Sequence, residues 1–236
     1  MKPFPIDRRR PPSRVEYARD GRSLVLRPYQ YTDIDALIDA VNASLDELKR
    51  FMPWAHIPVT REGEFDLVTR FQSQYWAGNE YVFGVFDGSG SLVGGCGLHP
   101  RTPLNSFALE IGYWSHSAHA GRGNTTLASR LMAVLAFDRF ECDRLQVIHD
   151  EANAASQRIV EKCGFVYEGT LRNATAAVTP EVRAGGYAGT SRHRIYGITR
   201  EEYAALSWVA EVRAAMTYVD ALGGRVAATE GVSTSA

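Results

Sequence analysis

The sequence predicts an α/β domain with a mixed β-sheet and helices on its faces. Three observations predict it: a hairpin pattern within residues 81–98, a strand–glycine turn–helix unit that begins at Ala108, and a second strand–helix unit that begins at Leu145. Strands joined first by a hairpin and then by helices are typical of a sheet with antiparallel and parallel parts. A chain of 236 residues, 45% of them hydrophobic, is long enough for one such core.

Four elements are predicted before the central strand. Residues 23–27 alternate between apolar and polar side chains, as a half-buried strand does. Thr32 with Asp35 resembles a capping box and opens a helix whose apolar stripe contains Ile34, Leu37, Ile38 and Val41. A longer helix runs from about Arg61 to Trp76, with Phe65, Val68, Phe71 and Tyr75 on one face. Residues 81–86 and 92–98 form the hairpin.

The second half of the domain alternates between strands and helices. The central strand covers Ala108 to Trp114, and a helix begins after Gly123. The next strand covers Leu145 to His149, and Asn153, a residue type favoured at helix N-caps, opens the helix that follows. Two closing strands are expected near residues 165–171 and 193–198.

Both ends of the chain are predicted to differ from this domain, which spans residues 21–203. Residues 1–20 contain few apolar side chains and are expected to form a flexible arm. In residues 204–236, we expect a helix that starts at the capping box Thr199–Glu202 and continues to about Asp220, followed by a frayed tail. We expect its apolar stripe to pack near residues 193–198, within the chain or across a dimer: Leu206, Val209, Val212, Met216 and Val219.

The turn that contains Gly121 and Gly123 carries most of the functional information. It lies between a strand and a helix start, where backbone N–H groups and the helix dipole favour a phosphate or pyrophosphate. Two common phosphate loops do not fit, because Asn124 stands where a Walker A loop has lysine and Thr126 stands where a dinucleotide fingerprint has its third glycine. Glu110 lies on the strand that leads into the turn. The pattern therefore indicates a phosphate-bearing cofactor beside a base.

Further motifs extend along residues 22–203. They are Leu24–Pro28 with Thr32-Asp33, Phe51–Trp54, Glu110–Trp114, Asn153–Ser156, Glu161–Phe165 and Glu168–Arg172. Together with the glycine turn, they resemble the GNAT N-acyltransferases, and in particular the RimJ/RimL-like branch. The chain departs from the family's Gln/Arg-x-x-Gly-x-Gly/Ala loop at its first position, which is Ala118. The resemblance implies a GNAT fold, a mixed central sheet flanked by helices, and acetyl-CoA as the acyl donor.

The resemblance also implies which residues hold acetyl-CoA. Backbone amides of the turn are expected to bind the pyrophosphate: Ala120, Gly121, Arg122, Gly123, Asn124 and Thr125. The Arg122 side chain is expected either to add positive charge there or to be an ordinary solvated arginine. Asn153 is expected to bond the pantetheine arm, although an asparagine there also fits a plain N-cap. Trp114 and Ser156 complete this set, and no metal is expected.

Acetyl transfer to an amine needs a neutral amine, a stabilised oxyanion and a proton for the leaving thiolate. Glu110 is the expected base, with a structural or solvent-exposed carboxylate as the alternative. The tyrosine that many GNAT enzymes use as the acid is absent, because Val160 stands at its position, and Ser156 is the expected donor. The oxyanion is expected at a backbone N–H between Tyr113 and Ser115, freed by a β-bulge.

The acceptor is expected to be a primary amine: a protein or peptide N-terminus, or a small molecule. Trp54, His56 and Tyr196 are expected at the mouth of its site, and residues 174–191 form either a flap over it or a plain surface loop. Two alternatives stay open. One is a non-catalytic acyl-CoA-binding or regulatory protein, and the other is an acyltransferase that uses a longer acyl-CoA.

Composition narrows the list of partners. The net charge of −1 predicts no general attraction to nucleic acid, and no long apolar run predicts a membrane segment. Cys96, Cys142 and Cys163 show neither metal-site spacing nor an adjacent base, which argues against a cysteine-bound acyl intermediate. We therefore expect a cytoplasmic monomer or homodimer.

Overall fold

The computed structural model describes residues 11–101, 107–174 and 178–228, and within them the strands form one sheet. The strands are β1 (Arg14–Arg19), β2 (Arg22–Arg27), β3 (Tyr81–Asp87), β4 (Leu92–Arg101), β5 (Ala108–Ser115), β6 (Arg144–Asp150), β7 (Val166–Arg172), β8 (Arg192–Thr199), β9 (Met216–Val219) and β10 (Arg225–Ala227). Their order across the sheet is β10-β9-β1-β2-β3-β4-β5-β6-β8-β7. Only β5 and β6 pair in parallel among these described strands. The sheet is therefore mixed, as predicted.

Helices cover the sheet and connect its strands. They are α1 (Ile34–Asn42), α2 (Leu45–Lys49), α3 (Arg61–Ala77), α4 (Asn124–Val134), α5 (Ala154–Cys163), α6 (Pro180–Ala184), α7 (Arg200–Ala205) and α8 (Val209–Ala214). Short 3₁₀ turns lie at Tyr31–Asp33, Pro53–His56 and Ser117–His119, and a π-turn at Leu135–Arg139 extends α4. In the described residues, no helix is both long and apolar enough to cross a membrane.

Most local predictions are confirmed. The hairpin forms as β3 and β4, the long helix forms as α3, and the capping box of Thr199 and Glu202 opens α7. The first helix differs: it begins at Ile34, two residues after Thr32, and a 3₁₀ turn occupies Tyr31–Asp33. Asp33 precedes it, accepts a 2.7 Å hydrogen bond from the Gln30 backbone N–H, and pairs with Arg27 at 2.6 Å.

Two apolar cores lie on the two faces of the sheet. The larger core contains α4, α5 and α8, with Leu131 and Val160 at 0% exposure. The smaller core contains side chains of α1 and α3, such as Val41 and Val68. The sheet is therefore enclosed by helices on both sides in the region that leads to the glycine turn.

The predicted N-terminal arm is wrong for the residues that the structure describes there. Arg14–Arg19 is strand β1, which lies between β2 and β9. Val15 and Tyr17 alternate inward and are buried, so two apolar side chains suffice to anchor a short strand whose partners lie on both sides. Residues 1–10 of the predicted arm lie outside the described residues.

The predicted single C-terminal helix is also wrong. Leu206 is extended, so α7 ends at Ala205, and α8 ends at Ala214 before the chain enters β9. The sequence Met-Thr-Tyr-Val favours a strand because β-branched and aromatic side chains fit a pleated surface. β9 pairs with β1, toward the opposite end of the sheet from residues 193–198, where we expected the apolar stripe to pack. Residues 229–236 of the predicted tail lie outside the described residues.

Trp208 anchors this C-terminal segment to the larger core. It is 8% exposed, and its indole Nε1–H donates to the Cys163 carbonyl at 3.1 Å. Trp208→Ala is expected to lower the free energy of unfolding by about 3–5 kcal/mol, because it leaves a cavity and an unpaired carbonyl. Chemical denaturation followed by circular dichroism measures this loss, and Leu222→Ala, at a 95% exposed side chain, is the matched control. Equal stability of both variants would contradict the anchoring role.

Candidate active site

The sheet opens between β5 and β6. The two strands pair at Leu109 and Glu110, opposite Leu145 and Gln146, and their pairing ends there. β5 nevertheless stays paired with β4 as far as Ser115, without a register shift. The bulge expected in β5 is therefore absent from this pairing. The divergence of β5 from β6 exposes the backbone edge that the bulge was expected to free.

The backbone N–H of Tyr113 faces this opening, as the hydrogen bonds between β5 and β4 indicate. The His116 N–H donates to the Val93 carbonyl of β4 at 3.0 Å. N–H groups alternate along a strand between its two neighbours, so the N–H groups of Tyr113 and Ser115 point away from β4 and toward β6. Because β5 and β6 do not pair beyond Glu110, the Tyr113 N–H faces the opening and not a paired strand.

Side chains of β5 also alternate between the two faces of the sheet. Leu109 and Ile111 lie in the larger core with α4, and Tyr113 packs against the same core. Trp114 packs against the smaller core. Glu110 lies four residues before Trp114 on the same strand and therefore faces the same side of the sheet. Glu110 and Tyr113 therefore lie on opposite faces, with the opening between β5 and β6 beside both.

The glycine turn leads directly into α4. Gly121 and Gly123 have φ of +74° and +76°, in the left-handed region that favours glycine. The first intrahelical bond runs from the Leu127 N–H to the Gly123 carbonyl at 3.0 Å. The N–H groups of Asn124 and Thr125 therefore have no partner within the helix and are available to an anion.

Two further contacts define the limits of the turn. The Ala120 N–H donates to the Ser117 carbonyl at 3.1 Å, so this amide, which we predicted to bind pyrophosphate, is already used by the protein. The Thr125 hydroxyl contacts the Ser115 hydroxyl and thereby joins the start of α4 to the end of β5. The turn and the opening of the sheet thus belong to one site.

A cavity of about 380 Å³ extends from the glycine turn to the start of α5. Eight of the predicted cofactor-binding residues line it: Trp114, Ala120, Gly121, Gly123, Asn124, Thr125, Asn153 and Ser156. The side chain of Arg122 is exposed beside the cavity and is not part of its lining. Phe51 and Met52 also line the cavity.

At the start of α5, three side chains meet. The Asn153 Oδ1 accepts the Ser156 N–H at 3.1 Å and caps the helix, which leaves the two amide hydrogens of Asn153 for another acceptor. The Tyr113 hydroxyl lies 3.4 Å from the Ser156 carbonyl. Burial raises the pKa of the Tyr113 phenol well above its usual value, and a hydrogen bond with the Ser156 side chain partly opposes this shift. Tyr113 therefore keeps its proton at neutral pH.

The sequence analysis did not identify the side chain of Tyr113 as functional. The alternation of side chains along β5 places Tyr113 on the same side of the sheet as α5. No sequence pattern, however, predicts which residue of α5 the Tyr113 side chain contacts. Gln146 was also missed. It follows Leu145 on β6, and its Nε2 donates to the Glu110 Oε2 at 3.0 Å, which orients the carboxylate.

Glu110 lies in a polar part of its face. His99 is its cross-strand partner on β4, and the His99 Nδ1 lies 3.3 Å from the Glu80 carboxylate. Directly opposed residues of an antiparallel pair have Cβ atoms about 5 Å apart. The Glu110 carboxylate, the His99 imidazole and the Glu80 carboxylate therefore lie side by side on this face.

The three predicted acceptor residues have different surroundings. Trp54 is 43% exposed and is not among the residues that line the cavity, so its place at the acceptor site stays a prediction. His56 holds two loops together: its Nε2 lies 2.9 Å from the Lys49 carbonyl, and its ring meets Tyr187 edge-on. Tyr196 is 5% exposed and stacks on His149, so its predicted place at the mouth is wrong. Its parity on β8 turns it into the larger core.

The loop between β7 and β8 is docked on the same region as His56. The Ala188 N–H donates to the Arg50 carbonyl at 2.8 Å, and Tyr187 is buried. Residues 50–56 and 185–188 therefore pack against each other. Residues 175–177 of the segment that we considered a flap lie outside the described residues.

The three cysteines lie in the core. All are buried, and burial raises the pKa of the Cys163 thiol to about 11 and that of Cys96 further. A thiol with so high a pKa is a poor nucleophile at neutral pH. The geometry thus favours direct attack by the acceptor over an acyl-cysteine intermediate.

Comparison with known proteins shows the family of this chain. The family model "Acetyltransferase (GNAT) domain" matches residues 23–166. A curated relative, "Probable N-acetyltransferase YjcK" of Bacillus subtilis (strain 168), is 30% identical over 154 residues, which are 64% of this chain and 85% of the relative.

Solved structures share the fold. Mycobacterium smegmatis RimJ in complex with CoA-disulfide has a TM-score of 0.70 at 20% identity, over 81% of this chain and 89% of that chain. RimL, a ribosomal L7/L12 alpha-N-protein acetyltransferase in complex with coenzyme A, has a TM-score of 0.65 at 18% identity, over 76% of this chain and 95% of that chain. With a family model that covers more than half of its length and a curated relative of the same class, the chain belongs to the GNAT family of N-acetyltransferases.

Proposed function

We propose that this protein transfers an acetyl group from acetyl-CoA to the α-amine of a protein or peptide by direct attack. The observation that carries the proposal is the opening between β5 and β6, with the glycine turn on one face of the sheet and Glu110 on the other. Two substrates that approach from opposite faces can meet only where the sheet is open.

The phosphates of CoA are assigned to the glycine turn. The N–H groups of Gly121, Gly123, Asn124 and Thr125 lie there beside the positive end of α4, which favours an anion. The cavity continues past Asn153 to Ser156, which gives the pantetheine arm a path toward the opening. The free amide hydrogens of Asn153 are suited to a carbonyl of that arm.

The thioester is assigned to the opening itself. The Tyr113 N–H is directed there by the alternation of β5, and a backbone donor is suited to the oxyanion that develops when the amine attacks. Because this donor belongs to a paired strand, it needs no rearrangement during the reaction. Positioning of the two reactants and this donor supply the main part of the proposed catalysis.

Glu110 is assigned as the base. An α-amine has a pKa of roughly 7.7–8.0, so a substantial minority of it is neutral at pH 7 and the base needs to remove only one proton from the rest. Gln146 holds the carboxylate at 3.0 Å, and His99 and Glu80 continue a polar path away from it. A water between the amine and Glu110 completes this path without further residues.

Ser156 and Tyr113 are assigned to the leaving thiolate. Both line the cavity, and the raised pKa of Tyr113 keeps its hydroxyl protonated. Because a thiolate leaves easily, we expect Tyr113→Phe and Ser156→Ala each to lower kcat by only about tenfold, at or below the usual range for acid catalysis. Stopped-flow thiol release measures this, and the double variant is expected to lose less than the product of both effects because the hydroxyls are neighbours. Independent, fully multiplicative losses would contradict a shared role.

The acceptor is assigned from the activity of a structurally similar protein and from the charge of the site. RimL is described as an alpha-N-protein acetyltransferase. Glu110 and Glu80 give the acceptor face an acidic character that suits a cationic amine. The exposed Trp54 offers an apolar surface to the residues that follow the N-terminus.

Thiol release from acetyl-CoA in the presence of peptides tests the proposal. The panel contains peptides with a free α-amine, the same peptides with a blocked N-terminus and a lysine, and small-molecule amines. Transfer to the free α-amines, located by mass spectrometry, is the expected result. Transfer to small amines alone would overturn the assigned acceptor, and CoA binding without transfer to any amine would indicate a binding protein.

A further inference from the structure

Arg22 contacts the glycine turn from a distant part of the chain. It is the first residue of β2, and its Nη2 donates to the Arg122 carbonyl at 3.2 Å and to the Asn124 Oδ1 at 3.1 Å. A β-carbon placed on Gly123 would lie 3.5 Å from the same nitrogen. The guanidinium therefore lies against the turn, next to Gly123.

The electrostatics of this contact are unusual. A cation beside a helix N-terminus is unfavourable, because the helix dipole is positive at that end. Arg22 is nevertheless held at the start of α4, and the adjacent Arg122 adds a second positive charge. In the described residues, Arg22 forms no ion pair, whereas its cross-strand partner Arg19 pairs with both Asp20 and Glu211.

An anion bound at the turn would neutralise this excess of positive charge. Arg22 has five N–H donors. Its hydrogen bonds to the described residues use only Nη2, so Nε and Nη1 are available to a phosphate. Ala118, at the start of the same loop, has no side-chain donor. Arg22 brings a side-chain donor to the turn from β2, about a hundred residues earlier in the chain.

We infer that Arg22 binds a phosphate group of CoA and at the same time fixes the turn through the Arg122 carbonyl and Asn124. The inference depends on the proposed function, because it assigns a residue to the CoA site. Its recognition chemistry is a charge-assisted hydrogen bond from a guanidinium to a phosphate oxygen. The pyrophosphate and the 3′-phosphate offer the same chemistry.

Calorimetric titration of the full-length protein tests the inference. Arg22→Gln is expected to raise the Kd for CoA by about 5- to 20-fold, as the loss of one exposed charge-assisted bond does. Arg22→Lys keeps the charge but not the planar fork, and it is expected to recover part of the affinity. Arg19→Gln is the matched control, since it removes an arginine from the neighbouring strand and is expected to leave the Kd unchanged.

Measurements with two further ligands separate the possible outcomes. With dephospho-CoA, an unchanged 5- to 20-fold effect assigns Arg22 to the pyrophosphate, and a lost effect assigns it to the 3′-phosphate. With S-acetylpantetheine, which has no phosphate, Arg22→Gln is expected to leave KM and kcat unchanged. An equal Kd for CoA in Arg22→Gln and the wild type would overturn the inference, and so would an equal loss with S-acetylpantetheine. A wild type that does not bind CoA would instead refute the proposed function.

Discussion

Glu110→Gln is expected to lower kcat/KM by about 10²-fold or more at pH 7, the usual contribution of a general base. The change keeps the size of the side chain and an oxygen for the Gln146 Nε2, which donates to Glu110 at 3.0 Å, so the strand should stay intact. It removes only the ability to accept a proton. Steady-state thiol release with the identified acceptor peptide measures the effect.

The pH dependence distinguishes a base from a structural carboxylate. As the pH rises from 7 to 9, an α-amine passes from about one-tenth neutral to almost fully neutral. The activity of Glu110→Gln should therefore recover by about tenfold over this range, and the wild type should gain less. Glu161→Gln, on α5, is the control and is expected to be fully active. Full activity of Glu110→Gln at pH 7 would show that Glu110 only supports the fold.

Gly123→Val is expected to raise the Kd for CoA by about 10²-fold or more. Gly123 has a φ of +76°, which a β-branched residue adopts only at a cost, so the turn must change its path. The N–H groups that converge on the anion would then diverge. Loss of two charge-assisted hydrogen bonds, each worth about 1.5–3 kcal/mol, accounts for this magnitude.

A matched glycine separates this local effect from a loss of folding. Gly90, in the turn between β3 and β4, has a φ of +83° and open space around it. Gly90→Val introduces the same type of backbone strain away from the cavity. We expect both variants to lose similar stability in thermal melts, while only Gly123→Val loses CoA binding in calorimetry. Unchanged CoA affinity in a folded Gly123→Val would place the pyrophosphate elsewhere.

The central part of the fold was predictable because its signals are local. The alternation of the hairpin, the apolar face of α3 and the capping box of Thr199 and Glu202 each depend on neighbouring residues. The glycine turn is local in the same sense, since two positive φ values at a helix start are a property of about six residues. These elements were therefore predicted with nearly correct bounds.

The ends of the chain were not predictable in the same way. The stripe from Leu206 to Val219 fits a helix, but Met216–Val219 pairs with β1, some 200 residues away in sequence. A short strand such as β1 becomes stable only when partners lie on both sides of it, and periodicity does not reveal a partner. The predictions of the arm and of the C-terminal helix were therefore wrong for the same reason: the first segment contains β1, the second contains β9, and the two strands pair with each other.

The amino-acid sequence by itself determined that the chain has a glycine turn at a helix start, a carboxylate on the preceding strand and an asparagine-capped helix beyond it. The tertiary structure alone decided that β5 and β6 diverge after Glu110, and that Glu110 and Tyr113 lie on opposite faces of the resulting opening. It also decided that Tyr196 belongs to the core and that Arg22 reaches the turn. The reason is physical: turns and caps depend on adjacent residues, whereas an opening in a sheet and a contact between distant strands depend on how all elements pack together.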